Sequence, residues 1–468
     1  MSQSTQFSKR TYDWVTIALY VGLVIIGWMM LYAAVYEKDV EQHIFSLSST
    51  VGSQTIWIVI SLVSFWLVVN IDWKMWNTFA YPLFGISIAL LVLVLLVGVE
   101  IKGARSWFRI GSFSFQPAEF AKLTTTLALA SYLSYYKCDL SKTRPQLIAL
   151  SLIFIPILLT LLQPDAGSAL IFTSFGIVLY REGLSPIYYY IAFALAMTFI
   201  LTLIYSPLVM IPILLGVVAV IYITQLSKKR YPILILISFI VLNFFLWDWL
   251  TPKIAIGLDA LAIIVASAYM WKERMRQLVT VLLSSVVLLS IISFGTNYMF
   301  QNVLKPHQRD RINVWLKPQE CDPRGSLYNI RQSKTAIGSG GLTGKGYLSG
   351  TMTELNHVPE QTTDFIFSII GEEQGFIGVL SIIFLYAFLI YRIILIGERA
   401  RNLFIRRYAY GLGGILFFHF FINIGMTMGI CPVVGIPLPF LSKGGTALFF
   451  FSIMLAILVK MDYSRLKE

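Results

Sequence analysis

The stretch of this chain richest in groups able to do chemistry runs QRDRINVWLKPQECDPRGSLYNIRQSKTAIGSGGLTGKG and then TELNHVPEQTTDFIFSIIGEE. It sets Asp310, Glu320, Asp322, Glu354, Glu360 and Asp364 among Arg309, Arg311, Arg324, Arg331, Lys334 and Lys345. Such a mixture suits an anionic, phosphate-bearing substrate, with cations to neutralise phosphate and a carboxylate to move a proton. An ordinary solvated loop has the same composition, and on composition alone that plainer reading leads. The glycines of IGSGGLTGKG do not make a P-loop, because Gly338 stands one residue too far from Gly344-Lys345 and Gly346 replaces the hydroxyl residue. They predict a tight turn or a close approach to backbone or ligand.

Charges inside apolar runs are more telling, since each costs roughly 3 kcal/mol at a helix centre unless paired. Glu119 and Lys122 in QPAEFAKL are spaced to pair on one helical face, or Lys122 points into a cavity and meets a loop carboxylate. Asp165 in LLQPDAGSAL sits at a proline turn, and Asp259 is a lone acid with no assigned role. Glu372 and Glu373 come early in a helix, where the helix dipole favours carboxylates. His43, His307, His357 and His419 have no metal-ligand spacing. No D-x-D motif and no soluble nucleotide-binding fold appear, which argues against a nucleotide-sugar donor. Three cysteines, Cys138, Cys321 and Cys431, make no framework, and at most one pair such as Cys321–Cys431 is open to bridging.

The elements that must position these groups are membrane helices. Apolar residues make up 57% of the chain and charged residues 13%, about half the charge a water-facing surface carries. Apolar runs of spanning length recur at 14–36, 52–71, 78–98, 118–136, 145–162, 166–180, 186–205, 208–225, 231–250, 254–271, 277–297, 364–392, 407–429 and 441–460, fourteen in all. No cleavable signal peptide precedes the first. The net charge of +12 reflects basic clusters in loops, not a nucleic-acid partner. Lys9-Arg10, 137–144, 228–230, 272–276 and 399–407 fall on one side if the spans alternate, which makes both termini cytoplasmic. Residues 100–117 and the long connection 298–363 then face outward. An all-α polytopic membrane protein is the fold class expected, with 1–468 as one transmembrane domain.

The chain resembles the SEDS family (shape, elongation, division and sporulation) of peptidoglycan glycosyltransferases, closest to its rod-shape-determining members. The resemblance rests on GARSWFRIGSFSFQPAEFAKL (103–123), LLQPDAGSAL (161–170), the block 308–346, VPEQTTDFIFSIIGEEQGFIG (358–378) and GIPLPFLSKGGT (435–446). It implies polymerisation of lipid II in the bacterial cytoplasmic membrane: an acceptor 4-hydroxyl attacks the donor's anomeric carbon and undecaprenyl pyrophosphate leaves. By motif, Asp322 in D-P-x-G matches the family's essential loop aspartate and suits a general base. Lys122 matches its transmembrane lysine and Trp107 its outer-loop tryptophan. Around them, Glu119, Arg105, Arg109, Arg309, Arg311, Gln332, Ser333, Lys345 and Asp364 are the candidate substrate-binding residues. The implied partners are a class B penicillin-binding protein and other elongation-complex membrane proteins. The motifs leave open whether a divalent cation (Mg or Mn) assists, since no metal site is legible.

Three departures stand out. The family usually has about ten spans, so 186–276 is expected to be an inserted four-helix segment. Lys443 replaces the family's usual Tyr, and Leu327-Tyr328-Asn329 replaces its common G-Y-Q. Two other function classes fit many spans: a lipid II flippase or transporter, which should concentrate its site near the midplane, and a scaffold that only recruits a transpeptidase. A division-type member of the same family is a further alternative.

Overall fold

The computed structural model describes residues 12–465 apart from 37–48, 102, 112, 136–137, 206–260, 262–263, 266, 269–270, 273–275, 322–325 and 356. The chain divides into two compact units, one of 1–185 with 322–468 and the other of 186–321.

The first unit begins with α1 (Trp14–Val35), α2 (Thr50–Asn70), the short α3 (Trp73–Thr78) and α4 (Ala80–Val97). A three-stranded antiparallel meander follows: β1 (Val99–Ile101), β2 (Ala104–Ile110) and β3 (Phe113–Phe115). It leads into α5 (Pro117–Ser134), with proline at the first helical position, where its missing N–H costs nothing. Then come α6 (Thr143–Leu162), α7 (Ala166–Phe172) and α8 (Phe175–Arg181). The single span expected at 166–180 is two seven-residue helices. Asp165 caps the first through Ser168 N (3.0 Å) and Ser168 Oγ (2.8 Å), and also accepts from Gln116 Nε2 at 2.9 Å.

In the second unit, α9 (Ile187–Ile204) packs on α10 (Arg276–Tyr298), with Thr202 and Ser293 hydroxyls 3.0 Å apart. A π-helical turn, Met299–Val303, leads to α11 (Pro306–Leu316). Two of the expected inserted spans, 208–225 and 231–250, lie outside the described residues, as does Asp259, and 254–271 lies mostly outside them.

The first unit resumes with α12 (Ser326–Ser339), the one-turn α13 (Thr351–Glu354), α14 (Ile366–Arg399), α15 (Leu403–Thr427) and α16 (Gly445–Arg465). The expected span 364–392 is broken: Gly375 takes φ +62° and ψ −159°, splitting α14 into a short first half and a long second half. A break inside an apolar spanning helix strands backbone groups, each costing several kcal/mol in lipid unless another protein group takes them up. The glycine-rich turn does so. Lys345 N donates to Glu372 O and Gly346 N to Glu373 O, both at 3.0 Å, while Phe376 N and Ile377 N donate to Gly341 O and Leu342 O at 2.9 and 3.1 Å. Gly344 has φ +81°, and a Cβ there would stand 2.1 Å from Glu373 O, so only glycine fits. Close approach to backbone is thus what those glycines provide.

Among the described residues eight helices are long and apolar enough to cross a membrane. The core is built from α5, α15 and α16, with α2 along α16, α4 and α6 beside α5, and α14 against α15. Buried polar contacts join these helices and tie α1 to α16: Tyr20 with Ser452 (2.8 Å), Tyr408 to Met454 O (2.9 Å) and Thr124 to Ser87 (2.8 Å).

Candidate functional site

Helix α5 is buried along nearly its whole length, and Glu119 and Lys122 lie one turn apart on it, 3% and 1% exposed. The ammonium of Lys122 is 2.7 Å from Glu119 Oε1 and 3.0 Å from His419 Nε2 on α15, with the Phe451 ring of α16 at 5.7 Å. So the local pair expected at i,i+3 forms, and a third partner from a distant helix joins it. Both charges are out of water, where such a pair offsets its desolvation only if further hydrogen bonds satisfy the remaining groups. One group is left over: among the described residues, Glu119 Oε2 is buried with no hydrogen-bond partner. The pair therefore holds a fixed cation and one unused anionic acceptor inside the bundle.

The non-helical linker between α15 and α16, which holds the GIPLPF stretch, packs against His419 and Asn423. Its carbonyls are taken up in turn by buried side chains. Asn423 Nδ2 donates to Ile436 O (2.7 Å), His419 Nδ1 bonds Pro437 O (3.1 Å) and the Tyr386 hydroxyl donates to Pro439 O. Asn423 Nδ2 also donates to the backbone oxygen of Asp364 (2.9 Å). One turn further along α15, the carbonyl of Thr427 accepts from Ser333 Oγ of α12 at 3.0 Å.

The other nominated residues are distributed as follows. Asp322 lies outside the described residues. Arg105, Trp107 and Arg109 all lie on β2, the arginines exposed and the tryptophan half-buried; a β-bulge between Arg105 and Trp107 breaks the alternation, so only Trp107 and Arg109 share a face. Arg309 donates from Nε to Leu304 O (3.1 Å), and Arg311 is half-buried on the same helix α11. Both belong to the second unit. Gln332 is half-buried and Ser333 fully buried on α12. Lys345 is engaged by Glu372, 2.6 Å away. Lys443 Nζ is 3.3 Å from Thr50 Oγ1, and burial pushes its pKa down while Glu360 pulls the other way. The three cysteines are free thiols. Among the described residues no group of three or more His, Cys, Asp or Glu is placed to hold a metal ion.

From the sequence alone His419 and Glu372 have no site role, and Asn423 is not singled out. A polar residue inside an apolar run was the available signal for His419 and Asn423; Glu372 was explained too readily by its place in a helix.

The sequence model of the FtsW/RodA/SpoVE family, described as a cell cycle protein, matches residues 13–214 and 209–467. The chain belongs to this family. It is 30% identical over 466 residues to the peptidoglycan glycosyltransferase RodA of Treponema pallidum, covering 97% of this chain and 98% of that one. To the peptidoglycan glycosyltransferase MrdB of Escherichia coli K12 it is 32% identical over 443 residues, covering 94% and 92%. A chain from a peptidoglycan synthase complex that coordinates polymerisation and crosslinking aligns with a TM-score of 0.62 at 25% identity, covering 98% and 99%. The rod shape determining protein RodA of Thermus thermophilus aligns with a TM-score of 0.56 at 22% identity, over 97% and 98%, and shares the fold. This FtsW/RodA/SpoVE member is therefore a multi-pass, mostly helical membrane protein with a RodA-like fold.

Proposed function

We propose that this chain is a peptidoglycan glycosyltransferase that polymerises lipid II, with release of undecaprenyl pyrophosphate, in cell elongation and rod-shape maintenance. The observation that carries this is full-length kinship with relatives named for that activity, RodA and MrdB. The buried Glu119–Lys122 pair supports it, because a fixed cation in a water-poor bundle can offset charge growing on a departing pyrophosphate. Asp322 acts as general base on the attacking 4-hydroxyl. Trp107, Arg105 and Arg109 of β2, Arg309 and Arg311 of α11, Gln332, Ser333, Lys345 and Asp364 contribute to holding the substrate or the loop around it.

The protein resides in the bacterial cytoplasmic membrane, with 298–363 facing outward and both termini inside. A class B penicillin-binding protein is its partner; the alignment with a synthase complex that couples polymerisation to crosslinking supports this. Fourteen spans, four of them inserted at 186–276, remain the preferred count. That stretch lies within the second compact unit, 186–321, and contains the point, 209–214, at which the family match divides into two overlapping parts.

The test uses the purified chain with its cognate class B penicillin-binding protein and labelled lipid II. Asp322→Ala is expected to abolish glycan chains, a loss of at least about 100-fold for removing a general base. Normal chains from that variant would sink the assignment of Asp322. Wild-type protein that moves lipid II across vesicles without polymerising it would instead favour a flippase. A chelator arm in the same assay asks whether Mg or Mn accompanies the substrate.

A further inference from the structure

His419 is 1% exposed in the middle of α15, and both its ring nitrogens are engaged. Pro437 O can only accept, so Nδ1 carries the ring hydrogen. The Lys122 ammonium can only donate, so Nε2 is the bare, accepting nitrogen. The network thus assigns a neutral ring in a single tautomer and leaves it one orientation. Lys122 is a long, flexible side chain with about 2 kcal/mol of rotamer entropy. Glu119, on the same helix, fixes it from one side only. His419 supplies the second point, from a different helix, and ties that point to the backbone of the GIPLPF linker.

The same face of α15 continues the arrangement. Asn423, one turn on, holds the linker at Ile436 and the end of the outer connection at Asp364. Thr427, a further turn on, receives Ser333 of α12, the helix that begins four positions after Asp322. All three residues are at most 1% exposed. A single rigid helix face therefore holds, in register, the buried lysine and the helix that follows the candidate general base. Metal sites show how such indirect partners matter, since losing one costs about 10- to 100-fold although it never touches the reacting atoms.

We propose that His419 is a positioning residue for the polymerisation reaction: it holds the Lys122 ammonium where it meets the substrate's pyrophosphate. This rests on the glycosyltransferase reading above. Nothing in the transfer step passes through His419 itself. It neither gains nor loses a proton, and it contributes by removing alternative lysine rotamers before substrate arrives.

The test is steady-state polymerisation of labelled lipid II by the full chain with its penicillin-binding protein, alongside thermal unfolding in detergent. His419→Phe keeps a ring and removes the acceptor. It is expected to lower kcat by about 10- to 100-fold, with KM changed by less than about threefold, while the protein still folds in detergent with a midpoint lowered by the stranded Pro437 carbonyl and Lys122 ammonium. His419→Gln, whose amide oxygen can accept from Lys122, is expected to restore kcat to within about fivefold of wild type. His419→Asn, polar but too short to reach, serves if the phenylalanine variant does not fold, and should resemble it in kcat. Wild-type kcat from His419→Phe or His419→Asn overturns the proposal. So does a rise in KM alone, or a loss with glutamine as large as with asparagine. If the wild-type protein itself makes no glycan, the glycosyltransferase reading falls first, so the two failures are distinguishable.

Discussion

Glu372 and Glu373 are neighbours near the start of α14, yet only a fold can tell what Glu372 does. Its carboxylate is fully buried and accepts from Lys345 Nζ (2.6 Å), Met352 N (2.8 Å), Thr353 N (3.0 Å) and Thr353 Oγ1 (2.7 Å). It anchors residues 345–353 of the long connection 298–363 onto α14. A helix-dipole account explains a carboxylate early in a helix but not this convergence of donors. Glu372→Gln keeps the shape and loses the charge, and its amide NH2 faces donors. Each charge-assisted bond that fails costs about 1.5–3 kcal/mol, so a net loss of about 3 kcal/mol is expected. It would appear as a lower unfolding midpoint in detergent and faster proteolysis after Lys345; an unchanged midpoint would argue that the anchor is dispensable. The residues show where legibility ends. The Glu119–Lys122 pair was readable because its members lie one turn apart. Lys345 precedes Glu372 by 27 positions and Lys122 precedes His419 by 297, separations at which side-chain spacing carries no signal.

Among the elements, most expected spans correspond to helices within a few residues: 52–71 is α2 (Thr50–Asn70) and 118–136 is α5 (Pro117–Ser134). The two that broke, at 166–180 and 364–392, did so for a reason hydropathy cannot register. An apolar run says that a segment is comfortable in lipid, not that its backbone stays helical throughout. What breaks α14 is one glycine with positive φ, made tolerable by a turn more than twenty residues upstream. The turn was foreseeable from IGSGGLTGKG, but its docking partner was not. This pairing gives a sharp expectation. Gly344→Ala adds a Cβ 2.1 Å from Glu373 O at φ +81°, so the turn must lift off the kink. Strain of about 1–2 kcal/mol at a left-handed position comes with the loss of two backbone bonds, and a total near 3 kcal/mol is expected. Gly338→Ala, whose added Cβ meets nothing within 4 Å, is the control and should unfold like wild type. Equal midpoints for the two variants would refute the docking account.

Across the whole molecule, fixed charges collect where the proposed orientation places the cytoplasm. Asp13, at the cap of α1, takes Arg392 of α14 at 2.6 Å and Arg399 at 3.1 Å, and Arg399 also reaches Asp462 of α16 at 2.9 Å. Burial raises the Asp13 pKa, but hydrogen bonds from Arg392 and Thr16 outweigh it and hold the carboxyl below its ordinary value. Beside this network Arg407 binds Glu182, and Arg181 binds Glu398. Partnered charges at one end, with basic clusters such as 137–144 in the adjoining loops, are what the positive-inside rule leads one to expect of a cytoplasmic face. Adding or removing a pair of spans leaves the parity of the loops unchanged, so sidedness is decided by direct labelling. In a chain with Cys138, Cys321 and Cys431 replaced by serine, a single cysteine is placed either at Thr335 on α12 or at Lys142, both exposed. A membrane-impermeant maleimide applied to spheroplasts is expected to label the Thr335→Cys variant and to reach the Lys142→Cys variant only after lysis. The reverse pattern would invert the bundle and put α12 in the cytoplasm, away from any lipid-linked substrate displayed outside. Labelling of both without lysis would mean that Lys142 and Thr335 share a face, and the alternation of spans between them would have to be redrawn.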